Sequence, residues 1–149
     1  MRSLLVLNGP NINLLGTRQP EVYGRVTLDM IEKACTARAS ELGATVQFLQ
    51  SNHEGALLDA IHAAKDVHDG IILNAGAYTH TSIALMDAIS SVEVPAIELH
   101  LSNVHAREEF RHVSYISKVC IGLICGFGGN GYRLAIEAML HHLDGQDLL

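Results

Sequence analysis

The sequence predicts an open α/β fold, a parallel sheet with helices on both faces. Two observations carry that reading. Short apolar runs alternate with amphipathic stretches along the whole chain, strand then helix, five times over. The apolar runs are also continuous, which suits strands buried on both sides. The chain has 149 residues and shows no linker, repeat or low-complexity tract, so a single domain over 1–149 is expected, large enough to bury a full core.

The elements follow in order. Residues 3–7 form the first run, which stops at Asn8-Gly9-Pro10, a loop signal. Thr27 can cap a helix, with Asp29 well placed in its first turn. Leu28, Ile31, Cys35, Ala39 and Leu42 then keep helical spacing until Gly43. Residues 45–49 are the second strand, and Leu57, Leu58, Ile61 and Ala64 form one face of the next helix. Residues 70–73 are the third strand, ending at Asn74-Ala75-Gly76. Ile83, Met86 and Ile89 are predicted to face inward from the helix after it. Residues 96–99 and 119–124 are the fourth and fifth strands, and the last helix carries Leu134, Ile136, Ala138, Met139 and Leu143. The strand order expected for such a chain is flavodoxin-like, 2-1-3-4-5.

Composition narrows the function. Hydrophobic residues make up 48% and charged residues 17%, which marks a globular chain. The net charge of −6 argues against nucleic acid and anionic membranes as partners. Cys35, Cys120 and Cys125 are odd in number and sit among apolar residues. They read as buried free thiols of a reducing compartment, not as a disulfide framework or a zinc site. The apolar run 4–7 is too short for a signal peptide and no run approaches a membrane span, so a cytoplasmic location is expected. The nine histidines lack metal-ligand spacing. His141 and His142 are adjacent and point to different sides, while His105 and His112 have no matching carboxylate pair.

Ligands of open parallel sheets bind beyond the carboxyl ends of the strands. After the first strand, residues 8–24 form a long loop with three asparagines, Arg18 and Tyr23. It has neither the G-x-G-x-x-G of a dinucleotide site nor the lysine of a P-loop. Asn74 and His80 follow the third strand. Glu98, His100, Ser102 and Asn103 crowd the end of the fourth, and Arg107 and Arg111 come next. Glu98 and His100 are two apart on an extended strand and so share a side. No G-x-S-x-G elbow is present. A phosphorylatable receiver would need an aspartate where Asn74 stands. A flavin carrier would need a hydroxyl-rich loop, yet residues 8–16 hold no Ser or Thr.

These loops resemble a known family. Asn8-Gly-Pro-Asn-Ile-Asn-Leu-Leu-Gly-Thr-Arg18, with Pro20 and Tyr23-Gly24, is similar to the signature of type II 3-dehydroquinate dehydratases. Leu73-Asn-Ala-Gly-Ala-Tyr-Thr-His-Thr-Ser82 resembles their second block, and Glu98-Leu-His-Leu-Ser-Asn-Val-His-Ala-Arg-Glu-Glu-Phe-Arg111 their third. Gly126-Phe-Gly-Gly-Asn-Gly-Tyr132 resembles their glycine-rich end. Gln19 stands where many relatives carry Glu. The resemblance implies conversion of 3-dehydroquinate to 3-dehydroshikimate and water, a step of the shikimate pathway. It implies Tyr23 as base, Arg18 as its activator, His100 as acid, and Asn11 as holder of the water that steadies the enolate. Asn74, His80, Arg111, Leu101 and Ser102 would bind substrate, Glu98 would orient His100, and Asp87 would reach a neighbouring subunit's site. The resemblance also implies a small anionic substrate, no metal or cofactor, and a homo-oligomer, a dodecamer built from trimers. His80 and Asp87, seven apart, are expected on one face of one helix.

The chemistry needs such residues. Stepwise elimination requires a base for the acidic C–H beside the ketone, a stabiliser for the enolate, and an acid for the departing hydroxyl. A tyrosine is ordinarily protonated near neutral pH and becomes a base only beside a cation that favours the phenolate. Arg18, always charged, lies five positions away in the same loop. A non-catalytic assembly or binding module of the same fold leaves Arg18, Tyr23 and His100 unexplained together.

Overall fold

A computed structural model describes residues 1–17 and 19–145, with backbone only for Val22 and Tyr23. Five strands form one parallel sheet: β1 (Arg2–Asn8), β2 (Ala44–Gln50), β3 (Gly70–Asn74), β4 (Ala96–His100) and β5 (Gly122–Cys125). Their order is β2-β1-β3-β4-β5, as the sequence predicted. The helices are α1 (Pro20–Tyr23), α2 (Leu28–Glu41), α3 (Glu54–Ala64), α4 (Ile83–Val92) and α5 (Asn130–Leu143). Thr27 caps α2, its hydroxyl accepting the Met30 N–H at 3.2 Å.

The sheet divides the core in two, because side chains alternate along each strand. Leu4, Val6, Ile72, Ile97 and Leu99 pack against Ile31 and Cys35 of α2 and Tyr132, Ala135, Ile136 and Met139 of α5. Leu5, Leu7, Ile71, Leu73 and Ala96 pack on the other side against Leu57 and Ile61 of α3 and Leu85, Ala88 and Ile89 of α4. Each fully buried leucine or isoleucine stabilises the fold by about 1.5–3 kcal/mol.

Three details differ from the sequence reading. Ile83 is 53% exposed; α4 keeps Ile89 inward as expected and buries Leu85, Ala88 and Val92 beside it. Ile83 lies four residues before the exposed Asp87 and so shares its solvent-facing side, with Ser90 and Ser91 also exposed. In α5 the buried positions are Tyr132, Ala135, Ile136, Met139 and Leu140, while Leu134 faces out. The fifth strand begins only at Gly122, because Ser117–Val119 is a 3₁₀ turn.

Candidate active site

The strand register builds the floor of the site. Asn8 pairs with Asn74 at the ends of β1 and β3, and His100 pairs with Cys125 at the end of β4. Gly9 makes this possible. Its N–H donates to the Asn74 carbonyl at 2.7 Å, and a Cβ there would lie 2.4 Å from the Ala75 carbonyl oxygen. Beneath the floor, the buried Tyr132 hydroxyl donates to Asn8 Oδ1 at 2.6 Å and accepts from Asn74 Nδ2 at 2.9 Å. The Asn74 Oδ1 accepts the Gly76 N–H at 3.2 Å, so both ends of that amide are fixed.

The loop after β1 is held from β2. Asn11 adopts a left-handed conformation, φ 69°, and its N–H donates to Asn52 Oδ1 at 3.0 Å. Gln50 Nε2 donates to the Gly9 carbonyl at 3.1 Å and to Asn52 Oδ1 at 3.2 Å. The Tyr78 hydroxyl donates to the Asn52 carbonyl at 2.9 Å. Gln50 and Asn52 follow the same strand-end rule as the predicted residues, and scrutiny of the segment after β2 would have found them.

The two imidazoles are stacked, with centroids 6.2 Å apart and planes 15° from parallel. His80 Nδ1 donates to the Val113 carbonyl at 2.7 Å, which leaves Nε2 for a ligand. Burial, the leading cause, keeps His80 below its ordinary range, although the Val113 carbonyl opposes it. His100 Nε2 meets Glu98 Oε2 at 2.6 Å, leaving Nδ1 for the cleft. Glu98 is 1% exposed. Burial works against its ionisation, but hydrogen bonds from His100, Ser117 and Ser114 outweigh it and hold the carboxyl below its usual range. The Gly126 and Gly128 N–H groups bond the His100 and Leu101 carbonyls at 3.3 and 2.9 Å, which gives the glycine-rich segment after β5 its role. Gly126 has φ 97°, a region an L side chain rarely enters.

The cleft at these strand ends has an empty volume of about 670 Å³, open solvent included. Among the described residues it is lined by Asn11, Asn74, His80, His100, Leu101, Ser102 and Arg111, seven of the residues proposed from sequence, together with Arg107. Two guanidiniums, two imidazoles and no carboxylate among the described lining residues suit a small anion. Arg111 Nε is paired with Glu108. Glu98 stands behind His100 rather than in the lining. Asp87 is exposed on α4 and does not line its own chain's cleft. His80 and Asp87 do not share a helix: Gly76–His80 is a 3₁₀ turn, and Ser82 caps α4 by accepting the Leu85 N–H at 2.9 Å. Arg18 and the Tyr23 side chain lie outside the described residues; Tyr23 closes the short α1 and Gln19 precedes it with φ 45°. Among the described residues no group of three His, Cys, Asp or Glu converges as a metal site would require, and no helix is long and apolar enough to cross a membrane.

A flavodoxin-like sheet with a cleft of guanidiniums and imidazoles beyond its strand ends is the architecture of an α/β enzyme acting on a small molecule. Residues 2–140 match the family described as dehydroquinase class II, and the chain belongs to that family. It is 68% identical over 143 residues to the 3-dehydroquinate dehydratase of Ruegeria pomeroyi, covering 96% of each chain. It is 57% identical to the catabolic 3-dehydroquinase of Emericella nidulans, covering 91% of this chain and 89% of that one. The crystal structure of type II dehydroquinase from Butyrivibrio crossotus superposes with a TM-score of 0.91 at 43% identity, covering 93% of this chain and 97% of the other.

Proposed function

We propose that this chain, acting as one catalytic domain, dehydrates 3-dehydroquinate to 3-dehydroshikimate in the shikimate pathway, with Tyr23 as base and His100 as acid. The observation that carries the reading is the meeting of Asn11, Asn74, His80, His100 and Arg111 in one cationic cleft, with His100 backed by the buried Glu98. Arg111 pairs with the substrate carboxylate in the geometry that suits a guanidinium. Asn74, His80, Leu101 and Ser102 hold the ring hydroxyls. Tyr23, as phenolate beside Arg18, takes the proton from the carbon next to the ketone. The electron pair left behind forms an enolate, steadied by a water on Asn11. The enolate collapses to the conjugated enone, the C–O bond breaks, and His100 hands its proton to the departing hydroxyl, which leaves as water. The reaction moves protons and one hydroxyl with no net redox change, so proton donors and acceptors are sufficient.

Asp87, exposed and away from its own cleft, is assigned to a neighbouring subunit's site in a trimer, four of which make a dodecamer. A cytoplasmic setting accords with this reading. The test is direct: purified protein is mixed with 3-dehydroquinate and the ultraviolet absorbance of the conjugated enone is followed. A flat trace refutes the activity. Tyr23→Phe should lower kcat by about 10²-fold or more while substrate still binds, and near-normal turnover in that variant would remove the base assignment.

A further inference from the structure

Glu98 needs an explanation that the reaction scheme does not supply. A buried carboxylate is expensive to keep ionised unless its oxygens are matched by donors. His100 serves only one of them, Oε2. Oε1 receives two hydroxyls, from Ser114 at 2.8 Å and from Ser117. Both serines belong to the segment between β4 and β5, which the sequence marks only as a connection.

The direction of these bonds is fixed. The Ser114 hydroxyl oxygen accepts the Ser117 backbone N–H at 3.1 Å. A serine hydroxyl has one proton to give, so with that oxygen accepting from the backbone its proton is aimed at Glu98. The same segment reaches the second imidazole: the Val113 carbonyl takes the His80 Nδ1 proton at 2.7 Å, and the Tyr115 N–H donates to the Thr79 carbonyl at 3.0 Å. Residues 113–117 therefore supply the partner of His80 and bind the partner of His100 from one short stretch of chain.

We propose that Ser114 and Ser117 are positioning residues for the reaction, whose hydroxyls hold Glu98 as the carboxylate that aims His100 at the substrate. Neutral donors suit this task better than a cation would. An arginine in their place would spend the field of Glu98 and repel the proton of His100; a hydroxyl stabilises the anion and leaves its charge for the imidazole. The other groups near Glu98 do not take over. Cys120 is pushed up to about 12, by burial first and by the Glu98 charge second, so it stays a neutral thiol. His80 is kept below its ordinary range, by burial first, with the facing charge of Arg111 acting in the same direction.

The proposal rests on the dehydratase reading, and the experiment separates the two. Ser114→Ala, Ser117→Ala and the double variant are made in the full chain, with Ser117→Thr as the variant that keeps a hydroxyl. The ¹³C signal of the Glu98 carboxyl, assigned with Glu98→Gln, is titrated by NMR; it moves to higher pH in the alanine variants and returns towards the parent in Ser117→Thr. In the enone assay the double variant loses about tenfold in kcat/KM at about pH 5.5 and less than about threefold at about pH 8, with KM little changed. Each single variant reads the same effect if the double variant fails to fold. An unmoved Glu98 titration, or a loss of kcat/KM equal at both pH values, overturns the proposal. The carboxyl titration needs no turnover, so a parent enzyme inert toward 3-dehydroquinate would refute the dehydratase reading without touching the serine–glutamate geometry.

Discussion

Tyr132→Phe removes a single oxygen from beneath the cleft, and the structure says what that oxygen does. It gives a hydrogen bond to Asn8 at 2.6 Å and takes one from Asn74 at 2.9 Å, with the ring fully buried. Burial, the first cause, pushes the phenol well above its ordinary range, against the hydrogen bond from Asn74, so it stays protonated and keeps donating. Phenylalanine retains the ring and its packing near Phe48, whose centroid is 6.2 Å away. The substitution therefore isolates the hydroxyl. Asn8 Oδ1 and Asn74 Nδ2 lose this partner inside the protein, at about 1–3 kcal/mol for each unsatisfied group. Taking ~2–4 kcal/mol in total and ~2–4 °C per kcal/mol for a domain of this size, Tm falls by ~5–15 °C. Asn74 also loses one of the two bonds that fix its amide, so KM for 3-dehydroquinate rises about tenfold, more than kcat falls. Thermal unfolding followed by circular dichroism and steady-state kinetics read the two effects. A Tm within about 1 °C of the parent, together with an unchanged KM, would refute the bridging role.

The remaining predictions concern the floor and the pH response. Gly9→Ala places a Cβ 2.4 Å from a backbone oxygen of Ala75, which no side-chain rotation relieves, so the ends of β1 and β3 must part. It should destabilise the protein by about 1–3 kcal/mol and cut kcat/KM by more than that loss of folded protein explains; full activity in the folded variant would argue against a close-packed floor. His68 and His80 are both held below the ordinary histidine range, in each case by burial first, with Asp69 opposing it at His68. Below the ordinary value of about 6.5 the unfolded chain takes up protons that the folded chain resists. Stability is therefore complete above that value and declines as pH falls through the folded values. His68→Gln should flatten this decline in denaturant titrations between about pH 7.5 and 5.5, and an unchanged slope would show that His68 does not contribute.

The sheet was legible because its signal is local. The central strands β1, β3 and β4 are largely buried and so read as short apolar runs, and turn residues punctuate them. The end of β4 was legible for the same reason: Glu98 and His100 are polar residues in an otherwise apolar strand, every residue of which is buried. Helix faces were less so. Ile83 and Leu134 look like core by hydrophobicity, and only packing shows that Leu85 and Ala135 occupy those places. The supporting residues were the hardest to see. Tyr132 is 124 residues from Asn8, and Ser114 and Ser117 are 16 and 19 residues from Glu98. Nothing in a serine's immediate neighbours distinguishes one that serves a buried carboxylate from one that faces water.

The pairing of Asn8 with Asn74 has a consequence for how activity arises. The cleft draws on the ends of β1, β3 and β4, and β1 must join β3 across some sixty residues, Leu4 opposite Gly70, before any wall of it exists. Such distant pairings are the slow events of folding. Local structure can form early in α3 or α5 without creating a fragment of the site. Catalysis is thus absent until the central strands have met, and regain of turnover after dilution from denaturant is a clock for sheet assembly, lagging behind the return of helical signal.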